Sequence, residues 1–135
     1  MLDTNVLVSA LISGDGPPGR ILASIKQEGL TLVTSAVQLD ELRNVTDRER
    51  LRPWIRREEA EDLIRNMEAV GVVVTDLPHV NASPGPDDNP ILATAIAGHA
   101  DLIVSGDKKH MLALGRIQGI PIVTAAAAAD WLQRR

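Results

Sequence analysis

The chain has no cysteine, no phenylalanine and no tyrosine, and its only aromatic residues are Trp54 and Trp131. The missing thiols exclude disulfides and thiolate metal sites and fit a reducing cytoplasm, where the protein is expected to reside. With so few rings the core has to be aliphatic, and an extended aromatic platform for stacking successive bases is excluded. No apolar run approaches the roughly 20 residues of a bilayer span, and no charged-then-apolar leader precedes the first acidic motif, so no membrane partner is expected. A basic excess is absent too, the formal charge being -4 over 135 residues. That disfavours nonspecific polyanion binding unless divalent cations neutralise part of the acid complement. The length predicts one domain over residues 1–135 with a core of its own.

What the sequence does have is acids placed next to short apolar runs. Asn89-Pro90 reads as a helix N-cap with proline at the first helical position, which sets Asp88 at a helix start. Ile91, Leu92, Ala95 and Ile96 form the apolar stripe of that helix, Gly98 ends it, and Leu102-Ile103-Val104 reads as a buried parallel strand followed by Asp107. Near the N-terminus only Leu2 is strand-like before Asp3, so a first strand there is very short. Further strands are predicted at residues 30–34, 72–75 and 120–124. Helices are predicted at 6–12, 19–28, 36–45, 58–70, 109–114 and 125–133, the third opened by a Ser35/Gln38 capping box. The alternation predicts an α/β fold, with a parallel sheet of five strands covered on both faces. Ligands of such sheets bind at the carboxyl ends of the strands.

Asp3, Glu41, Asp88 and Asp107 all fall near that edge. Glu41 lies one turn from both Val37 and Val45 and is expected to point inward, whereas Asp40 sits beside Arg43 on the polar side. Taken singly, Asp88 serves a helix dipole as readily as a metal, Asp3 reads as a turn residue and Asp107 as a loop or capping acid. Their coincidence carries the argument. Like charges about 4 Å apart cost roughly 4 kcal/mol per pair at an effective dielectric near 20, so the cluster calls for cations or raised pKa values. Oxygen ligands without cysteine or clustered histidine favour Mg²⁺ or Mn²⁺ over Zn²⁺. Asp76 is expected away from the site and Asp87 is expected to face water. Arg43, Arg48, Arg50, Arg52, Arg56 and Arg57 outnumber Asp47 and Glu49 in one segment, where a solvated face is the simpler reading than a phosphate-binding patch. Lys108, Lys109 and His110, beside Asp107, are better placed to meet a substrate phosphate.

Leu-Asp-Thr-Asn-Val at residues 2–6, Glu41 within its helix, Asp88-Asn-Pro-Ile-Leu-Ala-Thr-Ala, and Ile-Val-Ser-Gly-Asp at 103–107 together resemble the acidic motifs of PIN-domain ribonucleases. The resemblance implies a three-layer α/β/α domain with a central five-stranded parallel sheet and a Mg²⁺- or Mn²⁺-dependent endoribonuclease. It further implies the toxin of a toxin-antitoxin pair, homodimeric and inhibited by an antitoxin protein. Asp3, Glu41, Asp88 and Asp107 fall on the family's catalytic and metal-binding positions, and Asn5 and Ser105 on its supporting polar positions. Lys108, Lys109 and Arg43 are the RNA-binding candidates. Lys108 and Lys109 stand where some relatives carry a further acid, which weakens a second metal position. The alternative is a noncatalytic PIN scaffold that binds RNA or a protein partner. A phospho-aspartate phosphotransferase is disfavoured because Asn5 stands where its second acid would be.

Overall fold

The computed structural model describes residues 1–83, 85 and 88–134. In chain order the elements are α1 (Thr4–Ile12), α2 (Pro17–Glu28), β1 (Val33–Ser35), α3 (Ala36–Thr46), a single 3-10 turn (Glu49–Leu51), α4 (Arg57–Val70), β2 (Val72–Val74), α5 (Asn89–Ala97), β3 (Ile103–Val104), α6 (Met111–Leu114), β4 (Arg116–Ile117), β5 (Ile120–Val123) and α7 (Ala125–Arg134). No helix among the described residues is long and apolar enough to cross a membrane.

Consecutive strand residues pack into two different apolar clusters. Leu2, Leu32 and Val104 join one with Leu7, Ile21, Leu42, Ile64 and Leu132 from α1 to α4 and α7. Met1, Val33 and Ile103 join the other with Ile91, Leu92 and Ala95 of α5 and Met111 of α6. Side chains alternate faces along a strand, so this division buries the Met1-Leu2, Leu32-Val33 and Ile103-Val104 segments on both sides, with helices packed on each. Close approach reinforces it: at Gly98, after α5, a Cβ would collide with the Val33 side chain.

The continuous five-stranded parallel sheet does not form among the described residues. β1 and β2 pair in parallel, Val33 opposite Val72, as one two-stranded unit. β3 and β5 pair in parallel, and Leu2 adds a single parallel bridge to Val104. The Leu2 segment is too short for a full ladder, and the carbonyl it turns toward β1 is taken by a side chain instead. Gln38, fully buried, donates through Nε2 to the Leu2 carbonyl at 2.6 Å and accepts from the Thr34 hydroxyl at 2.6 Å. Its amide thus fastens the Leu2 segment to β1. The remaining strand, β4, pairs antiparallel with β5. The Gln118-Gly119 link between them has positive φ at both residues, 47° and 83°, as a two-residue hairpin turn requires.

Two local expectations change. Ser35 caps α3 as expected, accepting from the Gln38 N–H at 3.2 Å, but the buried residues of α3 are Gln38, Leu39 and Leu42. Val37 is half exposed while Glu41 and Val45 are half-buried, Val45 packing on the core, so that stripe runs along the rim of the core rather than within it. At α5 the cap falls one residue early: Asp88 already has helical backbone angles and its carbonyl accepts from the Leu92 N–H. Asn89 becomes the first helical residue, and its side chain turns back to the preceding loop.

Candidate active site

Asp3 follows the Leu2 bridge directly, and its N–H donates to the Val104 carbonyl at 2.9 Å. This fixes its carboxylate beside the carboxyl end of β3. Ser105, the first residue after β3 and wholly buried, donates its hydroxyl to Asp3 Oδ2 at 2.8 Å and accepts from the Asp107 N–H at 3.1 Å. One hydroxyl therefore joins the two acidic motifs. Asp107 in turn accepts at Oδ1 from the N–H groups of Lys109 and His110, at 3.0 and 3.1 Å, so the capping role and a place in the acid cluster coexist.

Asp88 enters from α5. The loop before it is held by Asn89, whose Oδ1 accepts from the N–H groups of Ala82 and Ser83 and whose Nδ2 donates to the Ser83 carbonyl. That loop presents the Ser83 hydroxyl to Asp88 Oδ2 at 3.2 Å. Gly85 lies so close that a Cβ there would stand 2.6 Å from Asp88 Oδ2 and 3.2 Å from the His110 ring. Asp107 lies close enough to Asp88 for its charge to raise the Asp88 pKa.

The electrostatics tie the four acids together. Burial holds the Asp3 carboxyl above its ordinary range, the Ser105 bond opposes this, and the charges of Asp88 and Glu41 add to the rise. Burial likewise raises Asp88, against its bond from Ser83, with Asp107 pushing the same way and His110 opposing. Glu41, on α3, is thus in electrostatic range of Asp3 despite its place at the rim. Carboxyl groups whose ionised forms are disfavoured by burial and by one another's charge suit a hard divalent cation, and the donors are all oxygen. Among the described residues, however, no three of these groups converge closely enough to hold an ion as they stand.

The other predicted residues are less central. Asn5 is exposed on α1, and Lys108 and Lys109 are exposed beside Asp107. Arg43 is exposed and engaged by Asp40 and Glu68, both at 3.2 Å. Asp76 is exposed after β2, and Asp87 lies outside the described residues. Ser83 was not a sequence candidate, because nothing marks one serine of a Pro- and Gly-containing loop until Asn89 pins that loop to α5. The buried Nδ1 of His110 has no hydrogen-bond partner among the described residues.

Together these features define an α/β protein with a carboxylate site at the end of parallel strands. Residues 1–109 match the PIN domain family, and the chain belongs to it. Members of that family are generally nucleases. An uncharacterised protein of Methanocaldococcus jannaschii is 31% identical over 109 residues, covering 80% of this chain and 70% of the relative. No solved structure matches the chain.

Proposed function

We propose that this protein is a Mg²⁺- or Mn²⁺-dependent endoribonuclease. The observation that carries the reading is the linkage of Asp3, Asp88 and Asp107, with Glu41 in electrostatic range, on two carboxyls held above their ordinary range. Bound among Asp3, Asp88 and Asp107, the cation would supply a Lewis acid that lowers the pKa of water and offsets charge on the phosphate.

The chain's own groups have distinct tasks. Ser105 holds Asp3, the 109–110 backbone holds Asp107, and Ser83 holds Asp88. Glu41 orients the attacking water from the α3 side. Water attacks phosphorus, the bond from phosphorus to the 3′ oxygen breaks, and that oxygen leaves with a proton, giving a 5′-phosphate and a 3′-hydroxyl. Lys108 and Lys109 meet the flanking phosphates. Single-stranded RNA suits a site at a sheet edge better than a duplex does.

The same reading makes the protein a cytoplasmic toxin, homodimeric and inhibited by an antitoxin. It takes β2, β1, the Leu2 segment, β3 and β5 as the parallel members of one central layer, with β4 as an antiparallel appendage. A noncatalytic RNA- or protein-binding scaffold is favoured by one observation, the lack of a ready three-ligand group among the described residues. Incubation of the purified protein with mixed-sequence RNA and Mn²⁺, beside EDTA and Asp88→Asn controls, separates the two. Cleavage lost in both controls establishes the nuclease, and intact RNA throughout leaves the scaffold. Growth arrest on expression, absent with Asp88→Asn, tests the toxin role.

A further inference from the structure

The arginine-rich segment between α3 and α4 is organised in a way that its composition did not reveal. Arg43, Arg57 and Arg65 each have an acidic partner. Arg48, Arg50, Arg52 and Arg56 are exposed and have no ion-pair partner among the described residues, and Glu49 is the one acid interspersed with them. In their midst stands Trp54, 65% exposed.

The turn that presents this ring is fixed. The N–H groups of Trp54 and Ile55 both donate to the Leu51 carbonyl at 2.9 Å, and Ile55, 4% exposed, anchors the segment in the core. Burying Ile55 turns its neighbour outward. A large exposed ring on a hydrogen-bonded turn, with exposed, unpaired arginines on both sides of it in sequence, suits a nucleobase flanked by phosphates. An apolar protein interface is poorly matched, because Leu51 is half-buried and no other large apolar side chain is exposed in the segment.

A groove of about 1010 Å³ runs along this surface, lined by Arg43 and Asn44 of α3 and by Arg52 and Arg56. Asp47, Glu58, Glu61 and Glu68 line the same groove.

We propose that this turn is a second RNA-binding surface, which holds single-stranded RNA outside the cleavage site by stacking one base on Trp54 and pairing phosphates with Arg48, Arg50, Arg52 and Arg56. The inference rests on the nuclease reading for its substrate class, and its test does not require cleavage. Binding of a fluorescein-labelled 12-nucleotide single-stranded RNA of mixed sequence is measured by anisotropy in EDTA across a range of salt. The Arg50→Ala/Arg52→Ala/Arg56→Ala variant should bind at least about tenfold more weakly, with its log–log salt slope reduced by about 2, since each phosphate contact on a single strand contributes about 0.7. The corresponding triple lysine variant should recover the slope. Trp54→Ala should weaken binding about tenfold with little change of slope.

Unchanged affinity and slope in the triple alanine variant, with its melting temperature intact, would overturn the proposal. So would displacement of the RNA by polyglutamate at equal charge concentration, which would assign the surface to an acidic protein. RNA held by the turn but never cleaved with Mn²⁺ would support the surface while refuting the nuclease; cleavage untouched by the substitutions would do the reverse.

Discussion

The Ser105 hydroxyl donates to Asp3 at 2.8 Å across 102 residues of sequence, and the same oxygen accepts from the Asp107 N–H. It is a side-chain link between the first acidic motif and the last, beside the backbone bond from the Asp3 N–H to the Val104 carbonyl. Ser105→Ala removes the side-chain bond that opposes the rise in the Asp3 pKa and the acceptor that holds the Asp107 N–H. A lost hydrogen bond to a charged group is worth about 1.5–3 kcal/mol, so a loss of roughly 10- to 100-fold in kcat/KM is expected. The acid limb of the pH–rate profile should move to higher pH. Wild-type kinetics in Ser105→Ala would show that the coupling has no catalytic role.

Asp3 also makes stability depend on pH in a defined direction. Its carboxyl is raised from the ordinary value of 3.8, so the folded chain binds that proton more tightly than the unfolded chain. The ionised group therefore costs stability: the cost is absent below the unfolded value, grows between the two values and is complete above the folded one. Asp3→Asn, which still accepts from Ser105, should raise the melting temperature in EDTA at pH 8 and leave it nearly unchanged at pH 4. A lower melting temperature at pH 8 would mean that the negative charge is stabilised in the fold.

Asn89 is the hinge of a different relationship. Its three hydrogen bonds bind the 82–83 backbone to the start of α5 and thereby aim Ser83 at Asp88. Asn89→Ala leaves half-buried N–H and C=O groups without partners, at a cost of about 1–3 kcal/mol each way of counting the loop. A fall in urea midpoint with an unchanged m-value is the expected result. An unchanged midpoint would show that water satisfies the loop equally well.

Much of this architecture was legible from residue order, and the gaps have physical causes. Apolar runs marked the strands, and Ser35 with Gln38 marked the start of α3, because a capping hydroxyl and a strand both leave local signatures. Gln38 was legible only as a cap partner; its bond to Leu2 depends on a neighbour 36 residues away. The α3 face was misassigned at Val37 because that helix buries an amide along with leucines, which periodicity counts as polar. Likewise β4 escaped notice, since two residues are too few to show alternation and Gln-Gly is a weak hairpin signal. Asp3, Asp88 and Asp107 were expected from their positions at strand and helix ends, Glu41 from its helix face and Ser105 from the family resemblance, whereas the Ser83 contact to Asp88 depends on loop packing.

Gly85 tests whether the position of the Asp88 carboxylate matters apart from its presence. A methyl group at Gly85 would stand 2.6 Å from Asp88 Oδ2, so the carboxylate has to move away from Ser83. Gly85→Ala should therefore lower kcat/KM about tenfold or more while changing the melting temperature by only a few degrees. Equal activity would indicate that the carboxylate has an alternative productive orientation.

Divalent ions should act on stability through the same acids. Burial and then the charge of neighbouring carboxylates raise the Asp3 and Asp88 pKa values, so a cation that neutralises the cluster removes the repulsion and competes with protons for these groups. Binding to the folded chain alone at 100 times Kd stabilises by about 2.7 kcal/mol. Mn²⁺ should thus raise the melting temperature by several degrees at pH 8, with less effect at pH 5 where protons compete for the carboxylates. Asp88→Asn should abolish most of the shift, because it removes the acid within reach of Asp107. A shift of equal size in Asp88→Asn would place the ion elsewhere on the chain.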